Sequence, residues 1–269
     1  MPSFELTDRV AIVTGGSDGI GKGIAMGMAE AGANLVIAAR RQDRIDATVE
    51  QLRGMGRRAI GVSTDVSDPA QVAEMVAAAM REFGKIDILV NNAGSSWGTN
   101  FRRASLLELE ASDFDGCFGT NVKSQFLCAK AVAPIMLDQQ SGGCIINMSS
   151  VGGQITGTTP SYSMAFYSAA KAAILSLSRS MAGEFAPKVR VNALMPGLIQ
   201  TDRTRNDPMR QATDDELAAG IGLNRVGLPQ DIAGAAVFLA SDAASWMTGA
   251  AIQIDGGPRS RRTQTAGVA

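Results

Sequence analysis

Tyr167 and Lys171 stand four residues apart in the run Phe166-Tyr167-Ser168-Ala169-Ala170-Lys171. On a helix that spacing places an ammonium one turn from a phenol on the same face. A free phenol titrates near pH ~10, too high for efficient proton exchange at neutrality, and an adjacent cation favours the phenolate. The pair is therefore a candidate acid–base couple. Tyrosine and lysine fall four apart in many helices by chance, so the pair takes its weight from its surroundings. The only other tyrosine, Tyr162, has Phe166 at the lysine position.

The chain has no histidine. That removes a Ser-His-Asp triad, histidine-ligated zinc and a histidine general base, leaving Tyr, Lys, Asp, Glu or Cys. Cys117, Cys128 and Cys144 are odd in number and lack paired metal spacing, the pattern of buried thiols in a reducing compartment. A length of 269 residues, 45% of them apolar, suits one large α/β domain. Net charge −1 without a dense basic stretch argues against a nucleic-acid partner. The N-terminus has neither the basic flank nor the apolar stretch of a signal peptide, and no run approaches membrane-span length. A cytoplasmic protein with no membrane partner is expected.

The elements that must position the pair alternate along the chain. Apolar β-rich runs at Val10–Thr14, Asn34–Ala39, Ala59–Ser63, Ile86–Asn91, Cys144–Ser149, Val189–Leu194 and Ala251–Ile254 alternate with helical segments. The helices are expected at Gly21–Ala31, Asp43–Arg53, Pro69–Phe83, Asp113–Asp138, Tyr167–Ala186 and Pro229–Ser241. This is the pattern of a doubly wound, parallel seven-stranded sheet, a Rossmann fold, in a single domain spanning residues 1–257. Residues 200–224, charged and carrying Pro208, Gly220 and Gly222, read as a substrate lid, and residues 258–269 as a flexible tail.

Thr14-Gly15-Gly16-Ser17-Asp18-Gly19-Ile20-Gly21 follows the first strand and opens the first helix. Glycines there let the backbone turn tightly and approach a phosphate at a helix N-terminus. With this loop and the Tyr-Lys pair, the chain resembles the short-chain dehydrogenase/reductase family from about Arg9 to Gly257. Asn91-Asn92-Ala93-Gly94, Asn121, Ser149-Ser150, Pro196-Gly197, Arg225 to Ala233 and Ile254-Asp255-Gly256-Gly257 follow in the family's order.

The resemblance implies a nicotinamide cofactor, no catalytic metal, a small-molecule carbonyl or alcohol substrate, and usually a tetramer or dimer. It implies Asn121, Ser150, Tyr167 and Lys171 as the catalytic set. Ser150 lies about four residues further from Tyr167 than is usual in the family, so Ser149 is an alternative; the second of paired serines is preferred. Cofactor contacts carried over are Gly15, Ser17, Asp18, Gly19, Ile20 and Gly21 in the loop, with Tyr167 and Lys171. Asp65 and Val66 would meet adenine, Asn91, Ala93 and Gly94 the ribose side, and Pro196, Gly197, Ile199 and Thr201 the carboxamide. For Asp65 a turn-capping role weighs equally.

The end of the second strand reads Ala39-Arg40-Arg41, without the acid that binds an adenosine ribose in NAD-binding folds. Guanidinium binds phosphate in a fork geometry, so NADP is expected, with Arg40 the first contact, Arg41 beside it and NAD the alternative. Asp18 mildly opposes a phosphate.

Trp97, Tyr162 and Met195 are candidates for an apolar substrate pocket with Ser150 and Tyr167. The leading reading is an NADP-dependent ketone reductase or secondary alcohol dehydrogenase for a fairly apolar or cyclic molecule. The alternatives are a 3-oxoacyl-acyl-carrier-protein reductase, docking its acidic partner through Arg102 and Arg103, and a catalytically silent scaffold. Phe114, Phe118, Val122 and Phe126 make an apolar stripe, either core or the interface of a homotetramer.

Overall fold

Val10-Ala11-Ile12-Val13 is apolar at every position, and such a strand needs cover on both faces. The computed structural model describes residues 3–96, 101–154, 158–159, 162–207 and 212–258. In it β1 (Val10–Thr14) is buried at all five positions. The further strands are β2 (Asn34–Ala39), β3 (Ala59–Ser63), β4 (Ile88–Asn91), β5 (Gly143–Met148), β6 (Thr158–Thr159), β7 (Tyr162–Ser163), β8 (Val189–Pro196) and β9 (Ala251–Ile254). Seven of them form one parallel sheet in the order β3-β2-β1-β4-β5-β8-β9. The chain winds outward from β1 to β3 and then returns to β4 on the other side of β1. At that switch the connections leave β1 and β4 in opposite directions and open a crevice at their carboxyl ends.

The helices are α1 (Gly19–Glu30), α2 (Gln42–Gly54), α3 (Pro69–Phe83), α4 (Ala111–Phe118), α5 (Ser124–Asp138), α6 (Ala165–Phe185), α7 (Asp202–Arg205), α8 (Asp214–Ala218) and α9 (Pro229–Ala240). One core sets Ile24 and Met28 of α1, Ile45 and Leu52 of α2 and Ile232 of α9 against the sheet. The other joins Val72 of α3, Cys128 of α5 and Met181 of α6 to the opposite face. Each large side chain fully buried this way contributes about 1.5–3 kcal/mol, so the two apolar layers hold the sheet's edges in place. The caps follow local chemistry: Asp68 accepts from Ala70 N at 2.9 Å ahead of Pro69, and Gly84 closes α3 in the left-handed region. No helix among the described residues is long and apolar enough to cross a membrane.

Three differences from the sequence reading have local causes. The single helix expected over Asp113–Asp138 is broken by a π-helical turn at Gly119–Lys123 between α4 and α5. In the segment Ile86–Asn91 the strand proper runs from Ile88, Asp87 N leading into it by donating to Val10 O at 3.0 Å, while Gln139 takes up the backbone of Ile86, accepting from its N at 3.0 Å and donating to its O at 3.0 Å. The stretch before Tyr167, read as loop, contains the antiparallel pair β6 and β7, with Thr158 opposite Ser163 and Thr159 opposite Tyr162.

Candidate active site

The crevice at the β1/β4 switch is a cleft of about 660 Å³. One end is built by the glycine turn. Gly15 has φ +65, a conformation that side chains oppose, and its N donates to Ala38 O at 2.7 Å. Asp18 caps α1 by accepting from Gly19 N at 2.8 Å. Its carboxylate also pairs with Arg41 at 3.1 Å and with Arg44, so the acid that opposed a phosphate is covered by two guanidiniums. Asn92 ties the turn to β4, donating from Nδ2 to Thr14 O at 2.9 Å, while Asn92 N and Ala93 N both donate to Thr14 Oγ1.

Gly15, Ser17, Asp18, Gly19, Ile20, Arg40, Arg41, Asp65, Val66, Ala93, Gly94, Pro196, Gly197 and Thr201 all line the cleft, as do Ser150, Tyr167 and Lys171. Asp65 lines the cleft and also caps the turn that follows it, accepting from Ser67 N at 2.9 Å. The Ser67 hydroxyl, at 2.6 Å, holds its carboxyl below the usual range with help from Ser67 N, and Arg40 adds a smaller effect.

Four residues named from the sequence turn elsewhere. Gly21 packs against the turn itself, where a Cβ would come 2.3 Å from Gly15 O. Asn91 is 1% exposed and donates into the core, to Asn147 Oδ1 at 2.9 Å and Gln125 O at 3.2 Å. Ile199 packs with the core beside α9, and Met195 packs with Leu175 and Ala193. Trp97 lies outside the described residues, as does the side chain of Tyr162, whose backbone belongs to β7. Phe101, Thr120 and Arg203 line the cleft without having been singled out. The clue to Arg203 was its place two residues past the Pro196 to Thr201 stretch.

At the far end α6 carries Tyr167 and Lys171. Lys171 is 4% exposed; its Nζ lies 5.5 Å from the Tyr167 ring centroid and donates to Met148 O at 2.9 Å. Burial pulls the ammonium down to about 8 and pushes the phenol above its ordinary value, and the Ser150 hydroxyl draws the phenol part of the way back. This corrects the expectation that the lysine charge lowers the tyrosine. In this arrangement desolvation is the larger effect, and the hydroxyl that opposes it belongs to Ser150. Ser149 also lines the cleft, but its hydroxyl is engaged, donating to Lys171 O at 2.7 Å. Asn121 is fully buried in the π turn, donating to Ser95 O at 2.8 Å and Cys117 O at 3.0 Å and accepting from Ser95 N at 3.1 Å. The wide turn re-aims that side chain. Gly94 fits between the two groups, where a Cβ would stand 2.8 Å from Asn121 Oδ1 and 3.4 Å from Lys171 Nζ. Cys117 is beside them, and burial pushes its thiol up to about 11.

A glycine turn at a sheet switch point, facing a serine, tyrosine and lysine across one cleft, defines a dinucleotide-dependent oxidoreductase. A family model described as enoyl-(acyl carrier protein) reductase matches residues 15–258. The chain is 39% identical over 261 residues to a 3α-hydroxysteroid dehydrogenase of Mediterraneibacter gnavus, covering 95% of this chain and 98% of that one. It is 38% identical over 255 residues to a 3-oxoacyl-(acyl-carrier-protein) reductase of a Synechocystis species, covering 94% and 97%. Among solved structures, a short-chain type dehydrogenase/reductase from Mycobacterium marinum superposes with a TM-score of 0.84 at 38% identity, covering 94% and 96%. A 7α-hydroxysteroid dehydrogenase in complex with NADH and 7-oxo glycochenodeoxycholic acid superposes with a TM-score of 0.87 at 32% identity, covering 95% and 96%. The chain belongs to the short-chain dehydrogenase/reductase family and is an oxidoreductase.

Proposed function

We propose that the protein interconverts a ketone and a secondary alcohol on a small, fairly apolar or cyclic substrate, with NADP as cofactor. The observation that carries the reading is the convergence of Ser150, Tyr167 and Lys171 on one end of a cleft whose other end is the Gly15 turn. The donor set fits a dinucleotide: the glycine turn leads into the N-terminus of a twelve-residue helix for a diphosphate, and Arg40 lines the cleft with no acid at Ala39. The relative solved with a keto bile acid supports a cyclic substrate.

A bound nicotinamide supplies or accepts the hydride. Tyr167 gives its hydroxyl proton to the substrate oxygen as negative charge grows there, and Ser150 donates a hydrogen bond to the same oxygen. A phenol pushed up by burial is protonated at neutral pH, the form a reduction needs. Lys171, near 8, can take up and release a proton in the working range and restores that of Tyr167. Asn121 holds the backbone of Ser95 beside Lys171 and links the lysine to a solvent-borne proton path. Residues 200–224, with α7 and α8, act as the lid of a domain that spans residues 1–257.

The small-molecule reading is supported over an acyl-carrier-protein partner by the two arginines that would have docked it. Arg102 pairs with Asp113 at 3.0 Å and Glu110 at 3.1 Å, and Arg103 pairs with Asp207. Assembly as a homotetramer fits the exposure of Phe114, Phe126 and Trp246, and light scattering that finds only monomer removes it. The three free, buried thiols suit a reducing cytoplasm. Absorbance of reduced nicotinamide, followed with a panel of cyclic ketones and alcohols and both cofactors, tests the whole reading. Faster turnover with NADH than with NADPH overturns the cofactor, and no turnover of any ketone overturns the reaction.

A further inference from the structure

Arg203 is the second residue of α7, in the segment read as a lid, and lines the same cleft as Arg40. Two arginines from distant parts of the chain therefore face one cavity. Arg40 comes from the end of β2 and Arg203 from beyond β8. α7 is seated directly on the glycine turn: Thr201, its capping residue, lies so close to Gly19 that a Cβ there would stand 3.1 Å from Thr201 Cγ2. The other end of α7 is tied down as well, because Asp207, two residues past Arg205, pairs with Arg103, and both side chains are nearly buried. Arg203 is thus held by its helix above the turn and remains open to solvent.

The charges nearby favour an anion. Partial desolvation, followed by the like charges of Arg40 and Arg103, holds the Arg203 guanidinium below its ordinary value, and the neighbouring Asp207 and Asp18 oppose that trend. Asp18 is already shared by Arg41 and Arg44. An oxyanion placed between Arg203 and Arg40 would relieve the repulsion and accept charge-assisted hydrogen bonds from both sides.

We infer that Arg203 is a lid-borne phosphate contact, which joins Arg40 across the cleft and clamps a phosphate of the bound dinucleotide from the side opposite the glycine turn. The inference rests on the cofactor reading above and extends it, since it gives α7 a direct part in holding the cofactor phosphate. The ligand chemistry is a phosphate oxyanion. Two sources can provide it, the bridging diphosphate common to both cofactors and the 2′-phosphate of NADPH alone.

The experiment measures dissociation constants of NADPH and NADH, by quenching of protein fluorescence at low and moderate salt, for the wild type, Arg203→Gln, Arg203→Lys and Arg40→Ala. Thermal unfolding confirms that each variant is folded. Loss of a charge-assisted hydrogen bond predicts weakening of about tenfold or more in Arg203→Gln, a shallower salt dependence, and an intermediate value in Arg203→Lys. Equal weakening for both cofactors assigns the diphosphate; weakening confined to NADPH assigns the 2′-phosphate. A wild type that binds both and an Arg203→Gln variant that binds them equally well overturns the inference and leaves the cofactor reading intact. A wild type that binds neither overturns both.

Discussion

Lys171 Nζ donates to the main-chain carbonyl of Met148 at 2.9 Å, anchoring the candidate catalytic cation to the carboxyl end of β5. Gln125 Nε2 donates to the same oxygen at 3.0 Å. The ammonium is thus set in a buried polar floor beneath the cleft, where desolvation takes it from 10.5 to about 8. A shift of that size corresponds to on the order of 3 kcal/mol of stability given up to keep a charge at the site.

Lys171→Met is expected to lose turnover and to gain on the order of 1–3 kcal/mol of stability at pH 7. The pH dependence has a definite sign. Between about pH 8 and 10.5 the unfolded chain holds the lysine proton and the folded chain has released it, so wild-type stability rises with pH in that window. The variant's advantage is therefore complete below pH 8 and fades as pH climbs towards 10.5. Urea unfolding of both proteins at pH 7 and pH 10 measures it; an advantage that widens with pH contradicts the assignment.

Tyr167→Phe removes the proposed proton and leaves the ring. Turnover should fall by about 10²–10⁴-fold while NADPH affinity changes little. Undiminished turnover in this variant would remove Tyr167 as the proton donor.

Gly94→Ala is expected to act like a catalytic substitution although glycine has no chemistry of its own. The added Cβ would stand 2.8 Å from Asn121 Oδ1 and 3.4 Å from Lys171 Nζ, displacing one or both. A misplacement of about 1 Å is worth roughly 10²-fold in rate. Steady-state kinetics beside an unfolding curve separates loss of geometry from loss of fold.

Asp207→Asn breaks the ion pair that ties the end of α7 to Arg103, whose side chain is 6% exposed. Removing one partner of a buried pair costs about 3–5 kcal/mol. Here the cost should appear as local opening, with faster hydrogen exchange over α7 and α8 and a raised KM. Uniform loss of protection across the sheet would instead make the pair a general stabiliser.

Ala39→Asp should turn cofactor preference towards NADH. A carboxylate at the end of β2 repels a 2′-phosphate and accepts hydrogen bonds from a ribose diol. The ratio of kcat/KM for NADPH over NADH is expected to fall by about tenfold or more. An unchanged ratio would place the 2′-phosphate contact elsewhere than Arg40.

Much of this protein was legible in the chain alone, because its determinants are local. Apolar runs such as Val10 to Val13 dictate strands covered on both faces, a glycine with positive φ is required where β1 turns into α1, and helical periodicity sets Tyr167 and Lys171 on one face. The side chains that reach the cleft were decided by tertiary packing. Asn91 sits in a motif that resembles a cofactor contact yet turns into the core towards Asn147 and Gln125, and Met195 and Ile199 turn into apolar clusters. Arg103 reads as a free surface charge until Asp207, far along the sequence, is brought to it. Arg203 follows the Pro196 to Thr201 stretch, but its residue type alone does not say which way it faces. It reaches the cleft only because α7 folds back over the glycine turn. The balance between burial and neighbouring charge at Tyr167 was likewise settled by the fold, since desolvation depends on every atom packed around a group and a four-residue spacing carries no record of that.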